Sequence, residues 1–211
     1  MTVDTPSAAP AADSPVGAPS GLPVGRPTAL WVLIAGVLGL AAAIALTIEK
    51  VALLIDPDYV PTCSLNPVLS CGSVMVTPQA SVFGFPNSLI GVVSFTVVTV
   101  TGVLALAGIR LPRWYWGGLA TGTLFGTVFV HWLIFQSLYR IEALCPYCMV
   151  VWAVTIPLLV VTASVALQPA GHTSPVARAL YQWRWSLTAL WFTALFLLIL
   201  VQFWSYWSTL V

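Results

Sequence analysis

The sequence predicts an all-α integral membrane protein with five transmembrane helices, and three observations predict it. Only 6% of the 211 residues are charged, where a soluble domain carries about 25%. Apolar residues make up 59%, too many for a chain of this size to cover with a water-facing surface. They gather into five runs of about 20 residues, enough to span roughly 30 Å of hydrocarbon as helix, with every backbone polar group satisfied inside the span. A formal net charge of +1 gives no basis for a nucleic-acid partner.

The elements follow in order. Residues 1–27 are rich in Ala, Pro, Ser and Gly, and Pro6, Pro10, Pro15, Pro19, Pro23 and Pro27 oppose a helix. With little to bury, this stretch predicts a disordered cytoplasmic tail. A cleaved signal peptide is the rival, with Ala41, Ala42 and Ala43 as small residues for a peptidase. The start carries Asp4 and Asp13 instead of a basic region, which argues against it. Residues 28–211 then form one membrane domain, its apolar runs at about 29–50, 86–108, 115–138, 146–167 and 186–208. The connection 51–85 is long for a compact bundle, which marks it as functional.

Lys and Arg set the orientation. Arg26, Arg110, Arg113, Arg178 and Arg184 fall on one side of an alternating thread, and only Lys50 and Arg140 on the other. The positive-inside rule puts the first set and the N-terminus in the cytoplasm. Trp114, Tyr115, Trp116, Tyr181, Trp183 and Trp185 then make an inner aromatic belt, and Trp204, Tyr206 and Trp207 an outer one. The loop 51–85 and the turn 139–145 both face outward. All four cysteines therefore share the outer side, where disulfides persist.

Cys145-Pro146-Tyr147-Cys148 reads as a helix start, with Cys145 at the N-cap and Pro146 where a missing N–H costs nothing. Cys148, three residues on, shares its face. The helix N-terminus offers free N–H donors and partial positive charge, which favour a thiolate. A thiolate at the lipid boundary is suited to reduce a quinone. A structural disulfide and a metal pair are the other readings. Four thiolates can hold zinc, but Cys63 and Cys71 are spaced more widely than the usual short knuckle, and no metal is expected. Cys63 and Cys71 in the outer loop can take electrons from a soluble partner by thiol–disulfide exchange, or can simply staple the loop.

Several stretches resemble the vitamin K epoxide reductase family: Cys63-Ser64, Ser70-Cys71-Gly72-Ser73-Val74, Phe83-Gly84-Phe85-Pro86-Asn87-Ser88-Leu89-Ile90-Gly91, and Leu138-Tyr139 ahead of the C-x-x-C. The resemblance covers roughly residues 30–165 and keeps all four cysteines in the family's order. The DsbB type shares the chemistry but has its C-x-x-C before the wider pair. The resemblance implies a four-helix bundle around a quinone with a fifth helix outside it. It implies that Cys145 and Cys148 are the redox centre, Cys63 and Cys71 the shuttle pair, that Cys148 faces the quinone, and that Cys145 exchanges with Cys71. Asn87 matches a position that hydrogen-bonds a quinone carbonyl; a helix-capping role is its alternative. Many bacterial members carry a fused thioredoxin-like domain. This sequence ends at Val211, so a separate DsbA-like thioredoxin-fold partner is expected. Animal members have a Tyr four residues after the C-x-x-C, where this chain has Trp152; the match therefore carries quinone reduction and does not carry epoxide reduction.

Other candidates are weaker. Phe83, Phe85 and Trp152 can pack on a quinone ring, or be interfacial aromatics. His131 lies inside the third span, where an ionisable residue is a functional hypothesis by default. It can deliver protons to the reduced quinone, or be a neutral histidine bonded to a neighbouring helix. Gln136, five residues on, points about 140° away from it, so the two do not form one relay. Glu142, near Cys145, can relay protons at the surface or be a solvated loop residue, and Glu49, Lys50, Asp56 and Asp58 read as solvated anchors of the outer loop. The expected protein is a multi-pass thiol:quinone oxidoreductase of the cell inner (plasma) membrane. It reoxidises the DsbA-like partner and reduces a menaquinone, ubiquinone or phylloquinone-like quinone. The alternative is a transmembrane thiol electron transporter without bound quinone.

Overall fold

A computed structural model describes residues 21–167 and 175–208, with side chains from 182 in the second stretch. Five helices are long and apolar enough to cross a membrane. They are α1 (Arg26–Ile55), α3 (Ser88–Leu106), α4 (Arg113–Gln136), α5 (Pro146–Ala166) and α6 (Pro175–Gln202). The short helices α2 (Cys71–Met75) and α7 (Trp204–Trp207) lie at the end where the cysteines gather. The protein is an all-α, multi-pass membrane protein.

Apolar side chains at helical spacing make these helices, and local chemistry sets their ends. Pro27 sits in the first turn of α1, and Pro146 in that of α5, where a missing backbone N–H costs nothing. α1 runs to Ile55, past the expected end near 50, because Val51, Ala52, Leu53, Leu54 and Ile55 continue the apolar run beyond Glu49 and Lys50. α4 passes into a π-helical turn, Ser137–Ile141, which ends at Glu142 in the left-handed conformation, φ 55°. This winding stops the helix and turns the chain back toward Cys145.

Of the tail expected over 1–27, residues 1–20 lie outside the described residues. Leu22 is pinned by a bridge to Leu111, its N–H donating to the Leu111 carbonyl at 3.0 Å, so the stretch before α1 is held where the tail was expected to be free. Of the expected belt residues, Trp114 is exposed and Trp116 is fully buried. Two residues along a helix is a turn of about 200°, which carries Trp116 to the bundle side. The side chain of Tyr181 lies outside the described residues.

α1, α3, α4 and α5 form a bundle, with α6 outside it against α5. α1 packs on both α3 and α5, and α4 packs on α5. Glycines let α1 and α3 close up: a Cβ on Gly102 would stand 2.6 Å from the Leu33 backbone, and one on Gly36 2.8 Å from that of Thr99. The core at this contact is Val32, Ala35, Ala43, Phe95 and Val98, completed by Val154, Leu158 and Val161 of α5. By contrast α3 packs on α1 and α4 on α5, and the two barely touch each other. That seam opens onto the cavity described below.

Candidate functional site

The loop between α1 and α3 is folded onto the start of α5 by its own backbone. The Asn66 side chain accepts the N–H groups of Val68 and Leu69, the local turn its short carboxamide favours. The chain then pairs in parallel with the approach to Cys145: Leu144 N–H donates to the Val68 carbonyl at 2.7 Å, and Ser70 N–H to the Leu144 carbonyl at 2.9 Å. Ser70 caps α2 by accepting from Ser73 N–H. One residue past each bridged segment stand Cys71 and Cys145, brought together across 74 positions of sequence.

Cys63 and Cys71 form a disulfide, and Cys145 and Cys148 are free thiols. The Cys145 sulfur lies 3.1 Å from that of Cys71. Cys63, Cys71 and Cys145 are buried together with Met75, with Cys148 and Tyr147 packed against them. The Cys148 S–H donates to Cys145 and, with the N–H groups of Cys148 and Tyr147, holds the Cys145 thiol below the ordinary cysteine value. Burial and the negative charge of Glu49 act against this. The three buried sulfurs lie within 4.8 Å of one another. Two of them are joined in the disulfide, which leaves Cys145 and Cys148 as thiol donors where a structural zinc site needs four ligands.

Glu49 departs from the sequence expectation. It is buried, and its carboxylate accepts from the Thr62 hydroxyl and backbone N–H and from the Tyr59 hydroxyl. That last bond raises the Tyr59 phenol above its ordinary value. Glu49 therefore anchors the residues just before Cys63, from inside the protein and not from solvent. Lys50 also turns inward: its ammonium donates to the Met75 carbonyl at 2.6 Å, and it lines the cavity. Sequence reading missed both. The signal was there in the apolar run that follows them, which continues the helix and makes the pair part of its buried wall. Asp56 remains exposed and accepts from Asp58 N–H, and Glu142 is exposed.

A cavity of about 560 Å³ lies between α3 and α4, over α1 and α5. Its size falls within the roughly 300–1,000 Å³ of ligand pockets. Cys148, Trp152, Asn87 and Gln136 line one end, and Trp114 and Tyr115 of α4 the other. The wall is largely apolar, with Lys50, Asn87, Gln136 and Ser137 among the polar groups at the Cys148 end. That distribution fits a flat ring with carbonyl oxygens at one end and a hydrocarbon tail. Asn87 stands at the N-cap position of α3, but its side chain makes no capping hydrogen bond. Its amide donates to the Gln79 carbonyl at 2.7 Å and its oxygen accepts from Val82 N–H at 3.1 Å. One amide hydrogen of its two remains for a ligand.

Three sequence candidates sit elsewhere. Phe83 and Phe85 are exposed and outside the cavity wall, although Phe83 leans on Phe129, which is part of it. They belong to the loop before α3, which turns them outward. His131 faces α6: its Nε2 accepts from Trp191 Nε1 at 2.8 Å, and its Nδ1 pairs with the Thr127 carbonyl at 2.8 Å. It bonds α4 to α6 and is not among the residues lining the cavity. Gln136 lies on the cavity side, and His131 pairs with α6, as their angular separation on one helix requires.

The model of the Vitamin K epoxide reductase family matches residues 30–163. The matched stretch includes all four cysteines and the cavity between α3 and α4. No curated protein matches the chain.

Proposed function

The chain belongs to the vitamin K epoxide reductase family, and from that premise we propose that it is a membrane thiol:quinone oxidoreductase that reoxidises a DsbA-like partner and reduces a quinone. It is a membrane oxidoreductase of a family that works on thiols with quinone-type molecules. The observation that carries the finer reading is the continuous line from the Cys63–Cys71 disulfide, through Cys145 at 3.1 Å, to Cys148 on the cavity wall.

The cycle follows from that line. The partner's thiols reduce Cys63–Cys71 through Cys63. The Cys71 thiolate attacks Cys145 of an oxidised C-x-x-C, and Cys63 resolves the mixed disulfide, leaving Cys145 and Cys148 reduced. The described arrangement, disulfide in the loop and thiols in the C-x-x-C, corresponds to this stage. Cys148 then passes two electrons to the bound quinone as its bond to Cys145 re-forms. Asn87 offers its spare amide hydrogen to the oxygen that gains charge. The outer face of a cell inner membrane suits this direction, and the positive-inside rule supports placing the cysteines there. An apolar cavity beside Cys148 favours this reading over a thiol transporter without quinone. The test is quinone reduction by the purified protein with a small dithiol. Wild type and Cys63→Ala should turn over and Cys148→Ala should not; wild type inactive toward both ubiquinone and menaquinone analogues would overturn the reading.

A further inference from the structure

Two thiols that become a disulfide release two electrons and two protons, and a quinone that takes up both becomes a quinol. Negative charge builds on the ring oxygens as the electrons arrive. In an apolar cavity that charge is costly unless a donor already faces it. Among the described residues lining the cavity, Lys50 is the one charged side chain.

Its placement is specific. Lys50 Nζ donates to the Met75 carbonyl at 2.6 Å. Met75 packs in the same buried cluster as Cys145 and Cys148, so the ammonium stands at the cysteine end of the cavity. An ammonium has three donors, and the Met75 carbonyl uses one. Glu49, the adjacent residue, is engaged with Thr62 and Tyr59 on another face of α1, as neighbours about 100° apart on a helix must be. A charged side chain inside an apolar span is costly to place there. An interfacial lysine ordinarily extends to water; this one turns to the cavity.

Resting on the thiol:quinone reading above, we propose that Lys50 is a catalytic residue whose ammonium donates a hydrogen bond to the quinone oxygen at the Cys148 end. It holds the oxyanion and protonates it, supplying one of the quinol's two protons; the other, released by the Cys148 thiol, goes to the ring's second oxygen. The outer aqueous phase, which received the proton lost by Cys145, returns one to Lys50, so the overall exchange remains two thiols and a quinone to a disulfide and a quinol. A lysine that served only to cap α2 through Met75 would hold the loop and leave the quinone untouched.

The experiment compares purified wild type, Lys50→Met and Lys50→Arg with ubiquinone-1 as probe, each first checked for an intact Cys63–Cys71 disulfide. The infrared carbonyl bands of bound ubiquinone-1 should show one carbonyl shifted by hydrogen bonding in wild type and in Lys50→Arg. That band should return toward its free position in Lys50→Met. With a small dithiol, kcat should fall roughly 10²-fold in Lys50→Met, less in Lys50→Arg, and least for electron-poor quinones whose oxyanions need less help. Unchanged carbonyl bands, or an equal loss for every quinone, would overturn the role of Lys50 while leaving the oxidoreductase standing. A wild type that neither binds nor reduces ubiquinone-1 or a menaquinone analogue would instead remove the reading on which it rests.

Discussion

Cys145 owes its reactivity to its neighbours at the head of α5. The largest influence lowering its thiol is the hydrogen bond from Cys148, ahead of the two backbone N–H groups. A folded thiol held below its ordinary value stays thiolate as pH falls through the range where a free cysteine, near about 8.5, is already protonated. The pH midpoint of the Cys145 thiolate, followed by its ultraviolet absorbance, should therefore lie below that value. Cys148→Ala should move it upward; an unmoved midpoint would show that the helix N-terminus alone sets it. The four cysteines were expected at one end of the bundle and they gather there; which of them pair was expected from the family resemblance. Asn87, expected from the family resemblance, lies on the cavity wall. The place of His131 was not legible, because a residue in mid-span has several helices around it and sequence does not say which one it meets. Its partner, Trp191, is 60 residues away. His131→Ala should leave quinone reduction unchanged and lower thermal stability in detergent by about 0.6–1.7 kcal/mol, the size of hydrogen bonds between membrane helices. A large loss of turnover would return His131 to the quinone site.

At the scale of elements, the tightest joint is that of α1 with α3. It depends on the absence of side chains at Gly36 and Gly102, where backbone meets backbone with no room for a Cβ. In lipid the hydrophobic effect does not press helices together, and close approach at small residues takes its place. Gly102→Leu should cost about 1–3 kcal/mol, as overpacking does, and lower the unfolding temperature. Gly117→Ala, on an open face of α4, should be nearly neutral. The five spans were legible because twenty apolar residues have few other uses. Their ends were less so. α1 outran its expected boundary because five apolar residues outweigh one charged pair, and the π-helical turn after α4 carries no compositional mark at all. The bridge between Leu69 and Leu144 was equally invisible, since it joins two loops through backbone atoms that every sequence shares.

At the scale of the whole molecule, a bundle with a fifth helix outside it was expected from the family resemblance and is what the chain forms. Which pair of its four helices would stand apart was not in the sequence, since all four are apolar around most of their circumference. That pair is α3 and α4, and the seam between them gives the protein its relation to the bilayer. On the proposed function, the oxidant does not arrive from water. It travels sideways through the acyl chains, in two dimensions, and the quantity that governs the rate is its mole fraction among the lipids. Doubling the volume of the assay at fixed liposome composition should leave turnover unchanged. Diluting the same liposomes' quinone with extra phospholipid should slow it, although the molar amount in the tube is the same. Under such kinetics the enzyme senses the composition of its membrane, and disulfide formation outside the cell is paced by how much oxidised quinone the bilayer holds per unit area.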